Sequence, residues 1–395
     1  MNAAAPRSPR ASTTTTALVL ALGAAVSLGL ARFSYALLLP PMRADLGWTY
    51  LTAGAMNTAN AAGYLVGALG MPRLLARADA RRCMLLGSGG TALLMAAHGL
   101  VASDAALYLL RLLAGIASAA VFVSGGLLSA RLGAASPNPA LVLGIYYGGT
   151  GAGIVASALL VPPALAHQGV HGWQRGWLVL ALVALGATVA MARGLPQRPP
   201  APAGARGSTE ADFRWRDFGF GLAGYMMFGL GYIGYMTFVI TLLREQQVAP
   251  ALVIAFYVLL GVGVMASPWL WAGLLARHRG GWPLALLNAL LALATLLPVL
   301  TRATPAVFAS GALFGAVFLS VVASTTALVR HNLPPAAWPR GIGAFTVVFA
   351  AGQIVGPTLV GALSDGAGGL RAGLAASAAL LLAGALLASR QRPIG

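Results

Sequence analysis

Charged residues are scarce in this sequence, and lysine is missing altogether. Only 8% of the 395 residues are charged; eight are acidic, and all 25 basic residues are arginine. Soluble domains carry roughly a quarter charged residues, so this chain could not cover a water-facing surface. With 58% hydrophobic residues and a mean hydropathy of +0.81, the composition predicts a protein embedded in a lipid bilayer.

Cysteine is almost absent as well. Cys83 is the only one in the sequence, which excludes an intrachain disulfide. No group of histidines and cysteines has the spacing of metal ligands. We therefore expect neither a metal nor a cofactor.

The arginines give the chain a net charge of +17, which in a soluble protein would suggest nucleic-acid binding. Here they stand in small groups between apolar runs, a spacing that is typical of a membrane-topology signal. The expected partners are therefore the lipid bilayer and a small-molecule solute, without nucleic acid, for a chain that works as a monomer.

Apolar runs recur along the whole chain. A helix needs about 20 apolar residues to cross a hydrocarbon core of roughly 30 Å. This criterion predicts an all-α membrane protein with twelve transmembrane helices near 17–42, 49–72, 83–102, 104–130, 140–164, 176–193, 217–243, 251–275, 283–300, 305–329, 341–363 and 371–389. The predicted parts are a disordered cytoplasmic tail 1–16, a six-helix bundle 17–193, a Pro/Gly-rich linker 194–216, a second six-helix bundle 217–389 and a tail 390–395.

The distribution of arginine predicts the orientation. With the amino terminus inside, 18 of the 25 arginines fall in cytoplasmic segments, five fall outside, and Arg32 and Arg111 lie within predicted helices. Positive charge concentrates on the cytoplasmic side of membrane proteins. We therefore expect a multi-pass protein of the inner membrane with both termini in the cytoplasm.

The two sides of the linker resemble each other at a fixed offset of 200 residues. The matched positions are Leu74-Leu75-Ala76-Arg77 with Leu274-Leu275-Ala276-Arg277, Gly29-Leu30 with Gly229-Leu230, Tyr35 with Tyr235, and Gly115 and Ser124 with Gly315 and Ser324. A repeat of six helices is typical of transporters that work by alternating access, in which one half rocks against the other.

Several motifs then indicate a family. Arg111-Leu-Leu-Ala-Gly115 resembles the span-four motif of the major facilitator superfamily. The motifs similar to those of YbfB/YjiJ-type bacterial permeases are Arg32-Phe33-Ser34-Tyr35, Asn60-x-x-Gly63-Tyr64, Gly229-x-Gly231-Tyr232 and Gly352-Gln353-x-x-Gly356-Pro357. The resemblance covers essentially the whole chain. It implies the major facilitator fold and a proton-driven or facilitative transporter of a small solute. Span five lacks the Gly-Pro pair of antiporters. The loop after span two departs from the family's Gly-x-x-x-Asp pattern, because its only acid is Asp79.

Arg32 and Arg111 are the most informative positions, because a charge in the hydrocarbon region costs roughly 2.5–3.5 kcal/mol on insertion scales. Counting about 1.5 Å per residue places both in the outer half. They lie on spans one and four, which line the cavity in the family that the chain resembles. One hypothesis is that they attract an anion or form a gate; the other is that they cap carbonyls and hold the bundle together. For Arg32 we favour binding, whereas for Arg111 both hypotheses stay open.

Further candidates for the cavity lining are polar residues at helical spacing: Tyr35 on span one, Asn57, Asn60 and Tyr64 on span two, Tyr232 and Tyr235 on span seven, and Gln353 on span eleven. For the asparagines the alternative is hydrogen bonding between helices. For Gln353 it is repair of the helix break at Gly356-Pro357.

None of the eight acids falls in the middle of a predicted span, so the sequence offers no buried carboxylate of the kind that many proton-coupled carriers use. The candidate protonation sites are Asp104, Glu245 and His98, near the outer face.

The leading functional hypothesis is a secondary active or facilitative transporter of a small organic solute, with an organic anion as the candidate. A membrane sensor or scaffold that does not transport is an alternative, and a drug or cation exporter is another. An enzyme would need a converging nucleophile, base or metal, and the sequence offers no such set.

Overall fold

The structure is a computed structural model that describes residues 12–166, 169–196 and 213–394. In these residues the chain forms twelve long helices: α1 (Thr13–Leu46), α2 (Tyr50–Leu75), α3 (Ala80–His98), α4 (Asp104–Ala134), α5 (Pro139–Leu165), α6 (Trp173–Gly194), α7 (Trp215–Glu245), α8 (Pro250–Arg277), α9 (Trp282–Leu300), α10 (Thr304–Asn332), α11 (Pro335–Ser364) and α12 (Gly369–Ser389). Ten of them are long and apolar enough to cross a membrane. The other two are α2, which carries Asn57 and Asn60, and α3, which begins next to Arg81 and Arg82.

The helix ends differ from the predicted ones where capping groups extend a helix. Helix α1 begins at Thr13, within the predicted tail, because the Ser12 hydroxyl accepts a hydrogen bond from the Thr15 N–H at 3.1 Å. Asp79 caps α3 in the same way, accepting from the Arg82 N–H at 3.2 Å. The predicted carboxyl-terminal tail packs on the bundle, since the Gln391 side chain accepts from the Gly221 N–H at 3.0 Å. Residues 1–11 of the predicted amino-terminal tail and 197–212 of the predicted linker lie outside the described residues.

Helix α1 changes its winding in the middle. Ala25–Phe33 is π-helical, and Ser34 forms a turn before the α-helix resumes at Tyr35. The Ser34 hydroxyl donates to the Leu30 carbonyl, which satisfies a backbone acceptor at the irregularity. π-Helical turns are frequent at functional sites. This one contains Arg32.

Short connections make neighbouring helices run in opposite directions, so the bundle has two ends. At one end, which we call the termini end, the chain after α12 meets the start of α7 through Gln391 and Gly221. At the other, which we call the opposite end, the segment between α1 and α2 meets the start of α4, where the Trp48 indole donates to Asp104 at 2.8 Å.

Helices α1–α6 (the N-half) pack mainly among themselves, as do α7–α12 (the C-half). The main packing between the halves comes from the pairs α2 with α11, α5 with α8, and α1 with α7. Small residues let these backbones approach: Gly54 of α2 meets the Pro357 carbonyl, and Gly151 of α5 meets Gly261 of α8.

The repeat in the sequence is reproduced in the packing. Gly115 of α4 lies against the Asn60 carbonyl of α2, and Gly315 of α10 lies against the Leu260 carbonyl of α8. Both residues of each contact are 200 positions from their counterparts. A Cβ at either glycine would collide with that carbonyl, so the same close helix crossing is built twice.

Candidate functional site

Arg32 lies near the middle of the bundle and is 4% exposed. Its Nη2 donates to Gln353 Oε1 of the C-half at 2.6 Å. Its Nε is enclosed and has no hydrogen-bond partner in the described residues. No carboxylate of that part of the chain forms an ion pair with it. A permanently charged guanidinium therefore lies at membrane depth with part of its donor capacity unused.

Aromatic rings surround this guanidinium. The Tyr64 ring centroid lies 5.7 Å from Arg32 Cζ, and Tyr232 is within electrostatic range of the same charge. Tyr232 stacks on Phe318 at 6.0 Å, and Phe318 lies 5.6 Å from Phe33, the residue after Arg32. We call Arg32, Tyr64, Tyr232 and Gln353 the Arg32 cluster. It combines one free positive charge with phenol rings and an amide.

Tyr232 belongs to a row of stacked rings in the C-half. Its ring centroid lies 4.6 Å from that of Phe228 and 5.7 Å from that of Phe349, with interplanar angles of 18° and 21°. Phe318 follows at 6.0 Å and 11°. These nearly parallel rings fix the orientation of Tyr232, and among them Phe349 is the one that is partly exposed.

Arg111 has a different environment, although it is just as deeply buried, at 1% exposure. Its Nε donates to the Met56 carbonyl at 3.4 Å, its Nη1 to the Ala31 carbonyl at 3.1 Å, and its Nη2 to Asn57 Oδ1 at 3.2 Å. Its Cζ also lies 4.6 Å from the centroid of the Tyr35 ring. These bonds tie α4 to α1 and α2, the geometry that the bundle-holding hypothesis requires.

The two asparagines join helices. Asn57 accepts from Arg111 and donates through Nδ2 to Thr237 of α7 at 2.7 Å, so it links the N-half to the C-half. Asn60 donates through Nδ2 to the Arg111 carbonyl at 3.0 Å. Of the stripe predicted on α2, only Tyr64 is part of the Arg32 cluster.

Tyr35 and Tyr235 were expected to line the cavity, but the structure places both among packed helices. The Tyr35 hydroxyl donates to the Ala53 carbonyl at 3.0 Å. The Tyr235 hydroxyl lies 2.6 Å from Ser310 Oγ, and its ring stacks on Phe314 at 4.0 Å. Helix α7 is buried on almost all sides, so the spacing of its tyrosines could not indicate which of them faces the other half.

Comparison with known proteins agrees with this architecture. Residues 24–389 match the family described as "Uncharacterised MFS-type transporter YbfB". The chain belongs to this family of the major facilitator superfamily. It is therefore a transporter by family, and not an enzyme. A search of curated proteins gives no match.

Solved structures of other transporters share the fold. A bacterial homologue of the human lysosomal transporter Spinster, in an inward-facing and unoccupied conformation, is 15% identical, with 95% of this chain and 96% of that chain covered at a TM-score of 0.73. The nucleoside transporter NupG is 15% identical, with coverages of 95% and 97% and a TM-score of 0.71. The human organic anion transporter MFSD10 is 18% identical, with coverages of 96% and 100% and a TM-score of 0.62.

The candidate protonation sites of this major facilitator protein lie apart from the Arg32 cluster. His98 is fully buried and stacks on Trp177 at 4.6 Å, with Nδ1 2.7 Å from the Leu94 carbonyl. Asp104 accepts from the Trp48 indole, and Glu245 accepts from the Tyr50 hydroxyl. Both acids lie at the opposite end.

Tyr50 is the centre of a polar junction between the halves, which we call the Tyr50 junction. Asp365 of the C-half accepts from the N–H groups of Tyr50 and Leu51 at 2.8 and 2.9 Å, at the start of α2. Glu245 of the C-half accepts from the Tyr50 hydroxyl and lies 4.0 Å from Arg43 Nη1. The guanidinium of Arg43 covers the Tyr50 ring, with Cζ 3.8 Å from its centroid. The junction joins the halves of the transporter at the opposite end.

Sequence reasoning missed several residues of these sites. Phe349, beside Tyr232, and Arg43 and Tyr50 of the Tyr50 junction look like ordinary residues of apolar helices and their ends, and nothing in their local sequence distinguishes them. Asp365 directly follows α11 in a turn, where acids are common; only the approach of α2 gives it a partner in the other half.

Proposed function

We propose that the chain is a secondary active or facilitative transporter that carries a small organic anion across the bacterial inner membrane by alternating access between its halves. All twelve helices cross the membrane in this proposal, and both termini lie in the cytoplasm. The observation that carries the proposal is Arg32. Its charge is buried, unmatched by any carboxylate among the described residues, and left with an unpartnered Nε.

The electrostatic argument is direct. A buried charge without a partner is costly, and the cost falls when an anion binds it. Arg presents a planar fork that can hold a carboxylate through two parallel hydrogen bonds. Arg32 lies in the contact zone of the halves, where transporters of this architecture bind their substrates. A cation would be repelled there, which argues against the cation-exporter alternative.

The same geometry suggests which side is open. With the termini in the cytoplasm, the Tyr50 junction lies on the periplasmic side. The bonds of Asn57 with Thr237 and of Arg32 with Gln353 join the halves closer to the middle. We infer that the periplasmic side is closed in this arrangement. The family and the shared fold support transport; the substrate and the orientation are our proposal.

Three variants of Arg32 and its partner test the anion hypothesis in proteoliposomes, with uptake of benzoate, octanoate, succinate, glucose and tetraphenylphosphonium as probes. We expect Arg32→Ala to abolish anion uptake and Arg32→Lys to weaken it, because Lys keeps the charge but loses the planar fork. Gln353→Glu, which preserves shape, places a carboxylate on Arg32 and should also abolish anion uptake.

Folding controls make the outcome decisive. Arg32→Ala should reach the membrane at least as well as the parent protein, because it removes the insertion cost of a buried charge. Normal anion uptake by Arg32→Ala would refute the proposal. Loss of the folded protein in both Arg32→Ala and Gln353→Glu would assign Arg32 to structure. Uptake of tetraphenylphosphonium but of no anion would favour a cation exporter, and binding without flux would favour a sensor.

A further inference from the structure

The Arg32 cluster also limits the kind of anion that can bind, an inference that rests on the proposed function and extends it. The first limit is its charge. Arg32 and Arg111 are the arginines in the middle of the helices, and Arg111 uses Nε, Nη1 and Nη2 on Met56, Ala31 and Asn57. The cluster therefore has one positive charge that no carboxylate of the described residues neutralises. A second negative charge on the ligand would be buried without a partner, which is costly.

The second limit concerns ammonium groups. Amino acids are zwitterions, and the ammonium needs a carboxylate or a set of acceptors once it leaves water. The acids of the described residues lie at helix ends: Asp45, Asp104, Glu245 and Asp365 at the opposite end, and Asp79 and Asp217 at the termini end. None is in the Arg32 cluster, and Arg32 would repel the ammonium. The ligand should therefore carry no amino group.

The donors of the cluster match one carboxylate. Gln353 accepts the Arg32 bond through Oε1, so its Nε2 points away from the guanidinium. In the described residues, this Nε2 donates to no protein atom. In the same part of the chain, the hydroxyls of Tyr64 and Tyr232 have no protein hydrogen-bond partner either. The Arg32 guanidinium, the Gln353 amide and the Tyr64 hydroxyl therefore offer several donors for the two oxygens of a carboxylate.

The third limit is shape. The ring of Tyr64 faces the guanidinium, and the rings of Tyr232, Phe349 and Phe318 lie nearly parallel to one another. Of these rings, Tyr64 and Phe349 are partly exposed. Offset stacking on such rings favours an aromatic body over an aliphatic one of similar size. A flexible chain would also lose more conformational entropy on binding.

We propose that the Arg32 cluster binds aromatic monocarboxylates without an amino group. The carboxylate pairs with Arg32 and accepts from Gln353 and the Tyr64 hydroxyl, while the ring packs against Tyr64 and Phe349. Dicarboxylates, amino acids and uncharged aromatic amides are poor ligands of this site.

The test compares five matched ligands with the purified, full-length protein in detergent, using calorimetry and competition against radiolabelled benzoate at neutral pH. Benzoate should bind. Phthalate, phenylalanine and benzamide should each bind about tenfold more weakly or worse, because each leaves a charge or a donor unpaired at the site. Cyclohexanecarboxylate, which keeps the charge but is not flat, should bind roughly threefold to tenfold more weakly.

Two variants of α11 test where the aromatic ring of the ligand binds. Phe349→Leu should remove most of the preference for benzoate over cyclohexanecarboxylate. The matched control Phe345→Leu, one turn away, should leave it unchanged, because Phe345 contacts Phe218 and Tyr225 but not Tyr232. Both variants keep Arg32, so both should still bind benzoate.

Each other outcome has a distinct meaning. If phthalate or phenylalanine bound as tightly as benzoate, the single-charge or no-amine part of the inference would be overturned. If cyclohexanecarboxylate bound as tightly as benzoate, the aromatic part of the inference would be wrong, while the proposed organic-anion transporter would stand. If no anion bound and Arg32→Ala changed nothing, the inference and the proposed function would fall together.

Discussion

At the scale of residues, two arginines that are both buried within helices have different environments. Arg32 has an unpartnered Nε and one side-chain hydrogen bond, whereas Arg111 donates from three nitrogens to three different residues. Burial alone therefore does not indicate a role; the number of acceptors around the guanidinium does.

Arg111→Ala should destabilise the protein, in contrast to Arg32→Ala. The change leaves the Ala31 and Met56 carbonyls and Asn57 Oδ1 without their donor, at about 1–3 kcal/mol for each buried group. We expect the apparent melting temperature in detergent to fall by roughly 5 °C or more. Equal melting temperatures for Arg111→Ala and the parent protein would show that these bonds contribute nothing to stability.

We expect that coupling of transport to protons does not require the acids near the opposite end. Glu245 and Asp104 are bonded to Tyr50 and Trp48, at helix ends and outside the Arg32 cluster. Glu245→Gln and Asp104→Asn should therefore at most weaken benzoate uptake driven by a pH gradient in proteoliposomes. Complete loss of pH-driven uptake in either variant, with facilitated exchange intact, would identify that acid as the coupling site.

At the scale of elements, the start of α2 depends on a group from the other half. Its first N–H groups have no partners within the helix, and the Asp365 carboxylate after α11 accepts two of them. An anion at a helix amino terminus is also favoured by the helix dipole. Opening of the bundle at this end must break these bonds.

Asp365→Asn should shift the protein towards the state that is open at the opposite end. The variant loses the charge and one of the two acceptors. Spin labels at Ala44→Cys and Ala367→Cys, in a Cys83→Ser background, report the separation of the halves there. We expect the population with the longer distance to rise about twofold or more, since a charge at an exposed helix amino terminus is worth roughly 0.3–1 kcal/mol.

Asp104→Asn is the matched control for this measurement, because its carboxylate bonds to Trp48 within the N-half. It should leave the distance distribution unchanged. An unchanged distribution in Asp365→Asn as well would mean that the Tyr50 junction does not hold this end closed.

At the scale of the whole molecule, the excess of arginine on one side remains the basis for the orientation. Reporter fusions at Ala203 and at the carboxyl terminus should both report a cytoplasmic location, because both follow an even number of predicted spans. A periplasmic signal at either position would contradict the arrangement of twelve spans. A fusion in the segment after α2, near Arg77, extends the test to one of the two less apolar helices.

Much of the architecture follows from the sequence. Long apolar runs have to become helices, because a helix satisfies its own backbone groups in lipid. The offset of 200 residues between equivalent helices appears again as paired close contacts, Gly115 with Asn60 and Gly315 with Leu260. The family motifs around Arg32 and Tyr232 also agree with the family match over residues 24–389.

The sites were decided by the tertiary structure. The sequence identified Arg32 and Arg111 as intramembrane charges, but the three acceptors of Arg111 come from α1 and α2, at positions that no spacing within α4 encodes. In the same way, Tyr235 and Tyr232 lie one turn apart on α7, and their neighbours on other helices give them different surroundings. Local sequence fixes how a helix forms. Which of its side chains remain unpaired depends on which helices pack against it.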